Sequence, residues 1–269
     1  MVSSQGLVAR PKPQRQWTAP PGVPHLETAQ RSAGPDDVLV LRMLPAFAVR
    51  EAENDLPLSR AAQRLVVFLA LRDRPVRRAE AAHALWGEVS GEQSAASLRT
   101  TLWRVGQVHR GLVGVTPEWL SLAGTVAVDL QAAFDLARSL TTTGELPPDC
   151  APLTALLASD LLPDWGEDWL FVFRERWRQL RLHTLERLAE RLAAEGRFAE
   201  AVDAALTAVE GEPLRESAHR SLIRVHLLEG NHGEAVRVYR ALVELLRAEL
   251  GVAPSPGARA LFGKIRQAQ

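Results

Sequence analysis

The sequence contains a single cysteine and no long apolar run. One cysteine, Cys150, excludes both a disulfide-stabilised scaffold and a metal cluster held by thiolates. No apolar run approaches the roughly 18 residues that a membrane-spanning helix needs, which argues against a membrane protein. The first residues lack the apolar core of a secretory signal, so we expect a cytoplasmic protein with no membrane partner.

An excess of charge of either sign is also missing, because 32 Lys and Arg balance 32 Asp and Glu. Residues 1–35 carry four cations against one acid, residues 36–128 carry 11 against 10, and residues 129–269 carry 17 against 21. No whole domain is strongly basic. A nucleic-acid site would therefore have to be a local patch.

The order of the patterns divides the chain into three parts. Residues 1–36 hold six prolines and no hydrophobic period, which predicts a disordered tail. Residues 37–128 contain strand candidates, three helices and a closing hairpin, a layout typical of a winged helix-turn-helix. Residues 129–269 are predicted to be almost entirely helical. We therefore predict a mainly α protein, in which an α+β winged helix-turn-helix precedes an all-α domain.

Within the winged helix-turn-helix, the first turn is expected at Asn54-Asp55 and the turn of the wing at 116–118. The third helix is expected over 92–108, with Ser94 as an early cap. The other expected helices cover 60–71 and 77–86.

A short segment recurs in the helical part of the chain. Residues 195–202 (EGRFAEAV) return as residues 229–236 (EGNHGEAV), and the offset of 34 residues is the tetratricopeptide period. Glycine begins the turn in both copies, as a left-handed turn between paired helices often requires. The second copy has Leu242 where the first has Ala208, a departure typical of a terminal repeat that caps a stack. The all-α domain is therefore predicted to consist of tetratricopeptide-like repeats.

The third helix carries the candidate functional residues. On a helical wheel, Leu98, Leu102 and Val105 form the stripe that we expect to be buried. In a helix-turn-helix, the opposite face lies in the major groove of DNA. Five residues occupy that face here: Arg99, Thr100, Trp103, Arg104 and Gln107. Arginine can read guanine, threonine can meet a thymine methyl, and glutamine can pair with adenine.

The same face could instead be a solvated surface with no ligand. Trp103 argues against this, because a tryptophan opposite the buried stripe exposes a large apolar area unless something covers it. DNA, a second copy of the domain, or the helical half of this chain would each provide a cover.

A family resemblance rests on these residues and on segments further along. Residues 81–88 (AAHALWGE) and 95–104 (AASLRTTLWR) resemble the OmpR-like DNA-binding domain of SARP-type bacterial regulators. The segments LPDW at 162–165, PLRE at 213–216 and ELGVAPSP at 249–256 resemble the bacterial transcriptional activator domain that accompanies it.

The resemblance implies a transcriptional activator that binds direct repeats in double-stranded promoter DNA and contacts RNA polymerase. It also implies a homodimer or a side-by-side pair on DNA. It assigns base reading to Arg99, Thr100 and Trp103, and backbone contact to Arg104. Relatives commonly carry arginines at the end of this helix, where this chain has VGQVH, and the wing turn at 116–118 offers no cation. Fewer phosphate contacts predict modest affinity for one copy.

An aromatic cluster in the helical part is open to two interpretations, a ligand pocket or a packing seam between helices, and we favour packing. Its members are Trp165, Trp169, Phe171, Phe173 and Trp177.

No pattern predicts catalytic residues, a cofactor or a metal. Residues 257–264 are spaced one residue too long for a phosphate loop, and Ile265 stands where a magnesium-binding hydroxyl belongs. His219, His226 and His232 have no carboxylate pair to complete a metal site. We therefore predict a regulator and not an enzyme. The alternative is an interaction scaffold whose winged helix has lost DNA binding, and repression through the same fold is a third possibility.

Overall fold

The computed structural model describes residues 39–142 and 146–267, so the expected tail, 1–36, lies outside the described residues. The first part comprises β1 Leu39–Arg42, β2 Ala48–Glu51, β3 Asn54–Asp55, α1 Arg60–Arg72, β4 Val76–Arg77, α2 Arg78–Trp86, α3 Gly91–Val108, β5 Val113–Val115, β6 Trp119–Leu122 and β7 Ala127–Val128. The second comprises α4 Asp129–Thr142, α5 Ala151–Ala158, a 3-10 turn at Asp168–Leu170, α6 Phe171–Ala194, α7 Phe198–Gly211, α8 Glu216–Glu229, α9 His232–Leu250 and α10 Pro256–Gln267. The predicted fold class is confirmed.

Two small sheets frame the winged helix. One has the order β3-β2-β1-β7, with β7 parallel to β1, and the other has the order β4-β6-β5. The turn predicted at Asn54-Asp55 is wrong, because these two residues form β3 against β2. The register places Asp55 opposite Arg50, whose Nε lies 3.1 Å from Asp55 Oδ1. The chain turns earlier, where Ala52 adopts a φ of 51°.

Helix α1 is enclosed on every side. Residues 65–70 are all buried, and six consecutive residues cover more than one full helical turn.

Helix α2 begins one residue later than expected. Arg77 belongs to β4, where it pairs with Trp119 of the wing hairpin.

The helical repeats are present as predicted. Helices α6 and α7 form one pair, and α8 and α9 form the next. Gly196 and Gly230 have φ values of 76° and 86°, which is the left-handed conformation expected at the two turns. Helix α10 was not predicted, and it packs against α8 and α9. Leu242 is fully buried in a cluster with Ala258 of α10, so the added helix fills the site where the second copy departs from the first.

Asp129 joins the winged helix to the helical part. Its carboxylate accepts the backbone N–H groups of Met43 and Leu44 at 2.9 Å and of Leu130 at 2.7 Å. Burial raises the pKa of Asp129, although these hydrogen bonds act to lower it. One hydrophobic core runs from Leu39 in β1 to Val225 in α8 and so crosses the expected boundary, and the domain division at 128/129 stays a prediction.

The raised pKa of Asp129 makes stability depend on pH. The native state holds this proton more tightly than the unfolded chain, so wild type is expected to lose free energy of unfolding relative to Asp129→Asn as pH rises from about 4 through the native pKa. Chemical denaturation of both proteins at several pH values between about 4 and 7 measures the difference. A difference that is constant, or that grows in favour of wild type with pH, would contradict the assignment.

Candidate nucleic-acid interface

The candidate recognition helix, α3, begins with a serine cap. The Ser90 hydroxyl accepts the N–H of Gln93 at 3.4 Å, so Ser90 and not Ser94 is the cap. Ser94 lies inside the first turn, where its hydroxyl donates to the carbonyls of Ser90 and Gly91 at 3.1 and 3.0 Å. The prediction of Ser94 was wrong because the helix begins one turn earlier than its hydrophobic stripe.

The two faces of α3 differ in burial as the sequence predicts. Ser94, Leu98, Thr101 and Val105 are buried, and Leu102 is partly buried. The five candidate residues are all exposed: Arg99, Thr100, Trp103, Arg104 and Gln107. At 100° per residue they span about 140° of the wheel, on the side opposite the buried residues. The structure therefore presents them together on one surface, and their role with DNA stays a prediction.

The arginines on this face are available to a ligand. Among the described residues, no carboxylate lies within ion-pair distance of Arg99 or Arg104, and neither guanidinium makes a hydrogen bond. A guanidinium without an internal partner keeps its five donors for an external anion or a base edge.

Trp103 is 66% exposed. Within the described residues, the helical half of the chain therefore does not cover Trp103. DNA and a second copy of the domain stay as predicted covers, beside the alternative of a solvated surface.

A cleft of about 530 Å³ separates α2, the first half of α3 and the wing turn. Arg78, His83 and Arg99 line it together with Pro117 at the wing. Two arginines from separate positions in the sequence therefore meet in this cleft. Their gathering in a nearly neutral domain is the kind of local patch that a nucleic-acid site would use, and its role with DNA stays a prediction.

The wing obtains its cations from β4 and α2 and not from its own turn. Arg78 donates from its backbone N–H to the Glu118 carbonyl at 2.9 Å and from its side chain to the Thr116 carbonyl at 3.2 Å. The Cζ atom of Arg77, which is exposed, lies 5.2 Å from the Trp119 ring centroid. Sequence reasoning missed both arginines, because only the β4–β6 pairing brings them to the hairpin. The cluster PVRR before α2 was the available signal.

The aromatic cluster forms a packing seam, and part of it packs against the winged helix. The Trp165 ring lies 5.8 Å from Phe47, and the Trp169 ring meets Phe68 of α1 edge-on at 5.5 Å. Trp177 is buried and donates from Nε1 to the Ser159 carbonyl at 2.8 Å. The packing interpretation therefore fits these three tryptophans. Phe171 differs, because it is 70% exposed.

Charged groups reinforce the seam. Glu167 lies 2.8 Å from Arg64 Nε and accepts the indole N–H of Trp169 at 3.0 Å. The guanidinium of Arg60 lies 3.8 Å from the centroid of the Trp165 ring. Because α1 contacts both this seam and α3, the exposed face of α3 is held in a fixed relation to the start of the helical part.

Other sites have less support in the described part of the chain. Within residues 39–142 and 146–267, no group of three or more His, Cys, Asp and Glu could hold a metal ion. Cys150 is buried there, and burial raises the pKa of its thiol. None of the described helices is long and apolar enough to cross a membrane. Residues 257–264, considered for a phosphate loop, lie in α10.

A winged helix-turn-helix fused to a stack of helical repeats is the class of protein that the fold defines. Residues 152–266 match the family model of the bacterial transcriptional activator domain. That segment therefore resembles a bacterial transcriptional activator domain, and the predicted resemblance to SARP-type regulators is confirmed as a resemblance.

Two known proteins are similar over most of the chain. The regulatory protein AfsR of Streptomyces coelicolor is 29% identical over an alignment of 234 residues that covers 83% of this chain and 24% of AfsR. A solved structure of Mycobacterium tuberculosis EmbR, in complex with a low-affinity phosphopeptide, superimposes with a TM-score of 0.66 at 18% identity. The match covers 86% of this chain and 65% of that one. This chain spans about a quarter of AfsR, and the EmbR likeness concerns the fold.

Truncating a side chain on the exposed face of α3 is expected to cost much less stability than truncating one on the buried face. Trp103→Ala is expected to change the free energy of unfolding by less than about 0.5 kcal/mol, because the side chain is mostly in water. Leu98→Ala is expected to cost about 2–5 kcal/mol, because it opens a cavity in the core. Urea denaturation of both variants measures the two costs. If Trp103→Ala cost nearly as much free energy of unfolding as Leu98→Ala, Trp103 would have to be packed against other residues and not exposed to solvent.

Proposed function

We propose that this chain is a sequence-specific DNA-binding regulator of transcription, and that it acts as an activator. The observation that carries the proposal is the exposed face of α3, where two arginines that have no partner among the described residues flank the exposed Trp103. In a helix-turn-helix this face enters the major groove. Arg99, Thr100 and Trp103 would contact bases, Gln107 would reach adenine, and Arg104 would contact the backbone.

The cleft beside α3 supports phosphate contacts that position this helix. Arg77 and Arg78 at the base of the wing compensate for the wing turn, which has no cation and carries Glu118. Phosphate contacts set affinity and register without reading sequence. Three or four such cations make a smaller patch than strong DNA binders use, so we expect two copies to bind side by side on a direct repeat.

The activator domain supports the second half of the proposal. Its match over residues 152–266 favours recruitment of RNA polymerase by this part of the chain, and regulation over catalysis. In this function the protein acts in the cytoplasm and requires no cofactor. The fixed seam between α1 and the segment around Trp165 and Trp169 would orient the activator domain once α3 is seated on DNA.

An interaction scaffold is the second candidate function. The wing turn at 116–118 without a cation and the near-neutral charge of residues 36–128 favour it. In that case the uncovered Trp103 would bind a protein and not DNA.

Selection from random duplex DNA separates the two candidates. At about 0.1 M salt, the wild type is expected to enrich a direct repeat, and Arg99→Ala/Arg104→Ala is expected to lose the enrichment, because each lost base or phosphate contact weakens binding. Arg240→Ala/Arg259→Ala is the matched control, since it removes two exposed arginines of the helical part. The assignment is supported if wild type and the control variant enrich the repeat and Arg99→Ala/Arg104→Ala does not. Equal behaviour of the two double variants, or no enrichment by wild type, would favour the scaffold.

Arg77 is expected to act on affinity and not on specificity. Arg77→Ala should weaken binding to selected and unselected duplexes by the same factor and reduce the slope of log K against log salt by about 1, because one phosphate contact is lost. Fluorescence anisotropy at several salt concentrations gives the slope, and Arg240→Ala serves as the control. A preserved slope, or a change in the preferred sequence, would remove Arg77 from the phosphate-contacting set.

A further inference from the structure

A second basic surface lies in the helical part, outside the winged helix. A groove of about 450 Å³ runs between α4 and α6 and ends at the start of α8. Its apolar floor consists of Phe134 and Leu180, and its rim carries Arg138, Arg176 and Arg215. Neither the family match nor the similar proteins assign a role to this groove.

The arginines of the rim are arranged around one aromatic ring. The Cζ atoms of Arg138 and Arg176 lie 6.0 and 5.7 Å from the centroid of Phe134. Arg138 also has Asp135 at 3.7 Å. Arg176 is exposed, and no carboxylate among the described residues lies within ion-pair distance of it. Within the described residues, Arg176 is therefore the cation of the rim that an incoming anion would pair with.

The groove is preformed. The Phe134 ring meets the buried Trp177 edge-on, with 5.5 Å between the centroids. Arg215, at its far end, is fixed by hydrogen bonds to Glu186 at 2.6 Å and to the Gln179 side chain at 2.9 Å. A ligand therefore would not have to order these walls when it binds.

We propose that this groove binds an acidic segment of a partner protein that also carries an apolar side chain. A carboxylate would pair with Arg176, since guanidinium and carboxylate form charge-assisted, often bidentate hydrogen bonds. The apolar side chain would pack on Phe134 and Leu180. Most of the rim is exposed, so the groove suits an extended segment better than an enclosed small molecule.

DNA is a poorer fit to this groove. Carboxylates lie among its cations, because Asp135 accompanies Arg138 and Glu186 holds Arg215. Protein–DNA interfaces are much more uniformly positive, and they do not need an apolar floor. The proposal goes beyond the proposed function and does not require the winged helix to bind DNA.

Fluorescence anisotropy of the full chain without DNA tests the proposal. The probe is a short fluorescein-labelled peptide in which glutamates and leucines alternate in pairs, and the comparison peptides replace glutamate with lysine or leucine with serine. Wild type is expected to bind the first peptide and neither comparison peptide at about 0.1 M salt. Arg176→Glu is expected to weaken binding at least tenfold. Arg240→Glu makes the same charge change on an exposed residue of α9 and is expected to leave binding unchanged.

Each result decides for or against the groove. Selective loss in Arg176→Glu, in a protein whose thermal unfolding matches that of Arg240→Glu, supports it. No binding by wild type, equal loss in both variants, or equal binding of the serine peptide would overturn it. Duplex DNA binding that falls in Arg176→Glu alone would make the groove a second DNA contact and would also overturn it. Failure of Arg99→Ala/Arg104→Ala to affect DNA selection leaves this result unaffected, so the two proposals fail separately.

Discussion

The burial of residues 65–70 in α1 is the constraint on which the rest of the structure depends. One side of this helix supports α3, and another receives Trp169 against Phe68. Apolar side chains of this size contribute roughly 1.5–3 kcal/mol each when they leave water, and residues 65–70 include five of them. Hydrophobic burial, more than any single ion pair, therefore fixes where the exposed face of α3 points relative to the helical repeats.

Paired polar groups at the same junction favour one arrangement of the two halves over others. Asp129 satisfies backbone N–H groups of Met43 and Leu44 that follow β1, and Glu167 reaches both Arg64 and the Trp169 indole. Buried polar groups are costly unless they are paired, so these contacts penalise other arrangements of the two halves. The near-neutral winged helix can thus bring Arg78 of α2 and Arg99 of α3 together in one cleft, with Arg77 of β4 beside the wing hairpin.

Much of this architecture follows from local patterns in the sequence. The 34-residue repeat predicted the turns at Gly196 and Gly230, and the stripe through Leu98 and Val105 predicted which face of α3 is exposed. Contacts between distant segments could not be predicted in the same way. Arg77 reaches the wing through strand pairing, and Trp169 reaches Phe68 across about a hundred residues. Helix α10 escaped prediction because two glycines interrupt its short pattern.

The seam through Trp165, Trp169 and Glu167 has a consequence for geometry on DNA. If α3 is seated in the major groove, a helical part that packs on α1 through this seam would turn with the phase of the double helix. Moving a binding site by about half a turn, roughly five base pairs, would carry the activator domain to the opposite side of the duplex. The spacing between a site and its promoter would then matter in whole helical turns, and the tryptophan seam would be the protein's contribution to that periodicity.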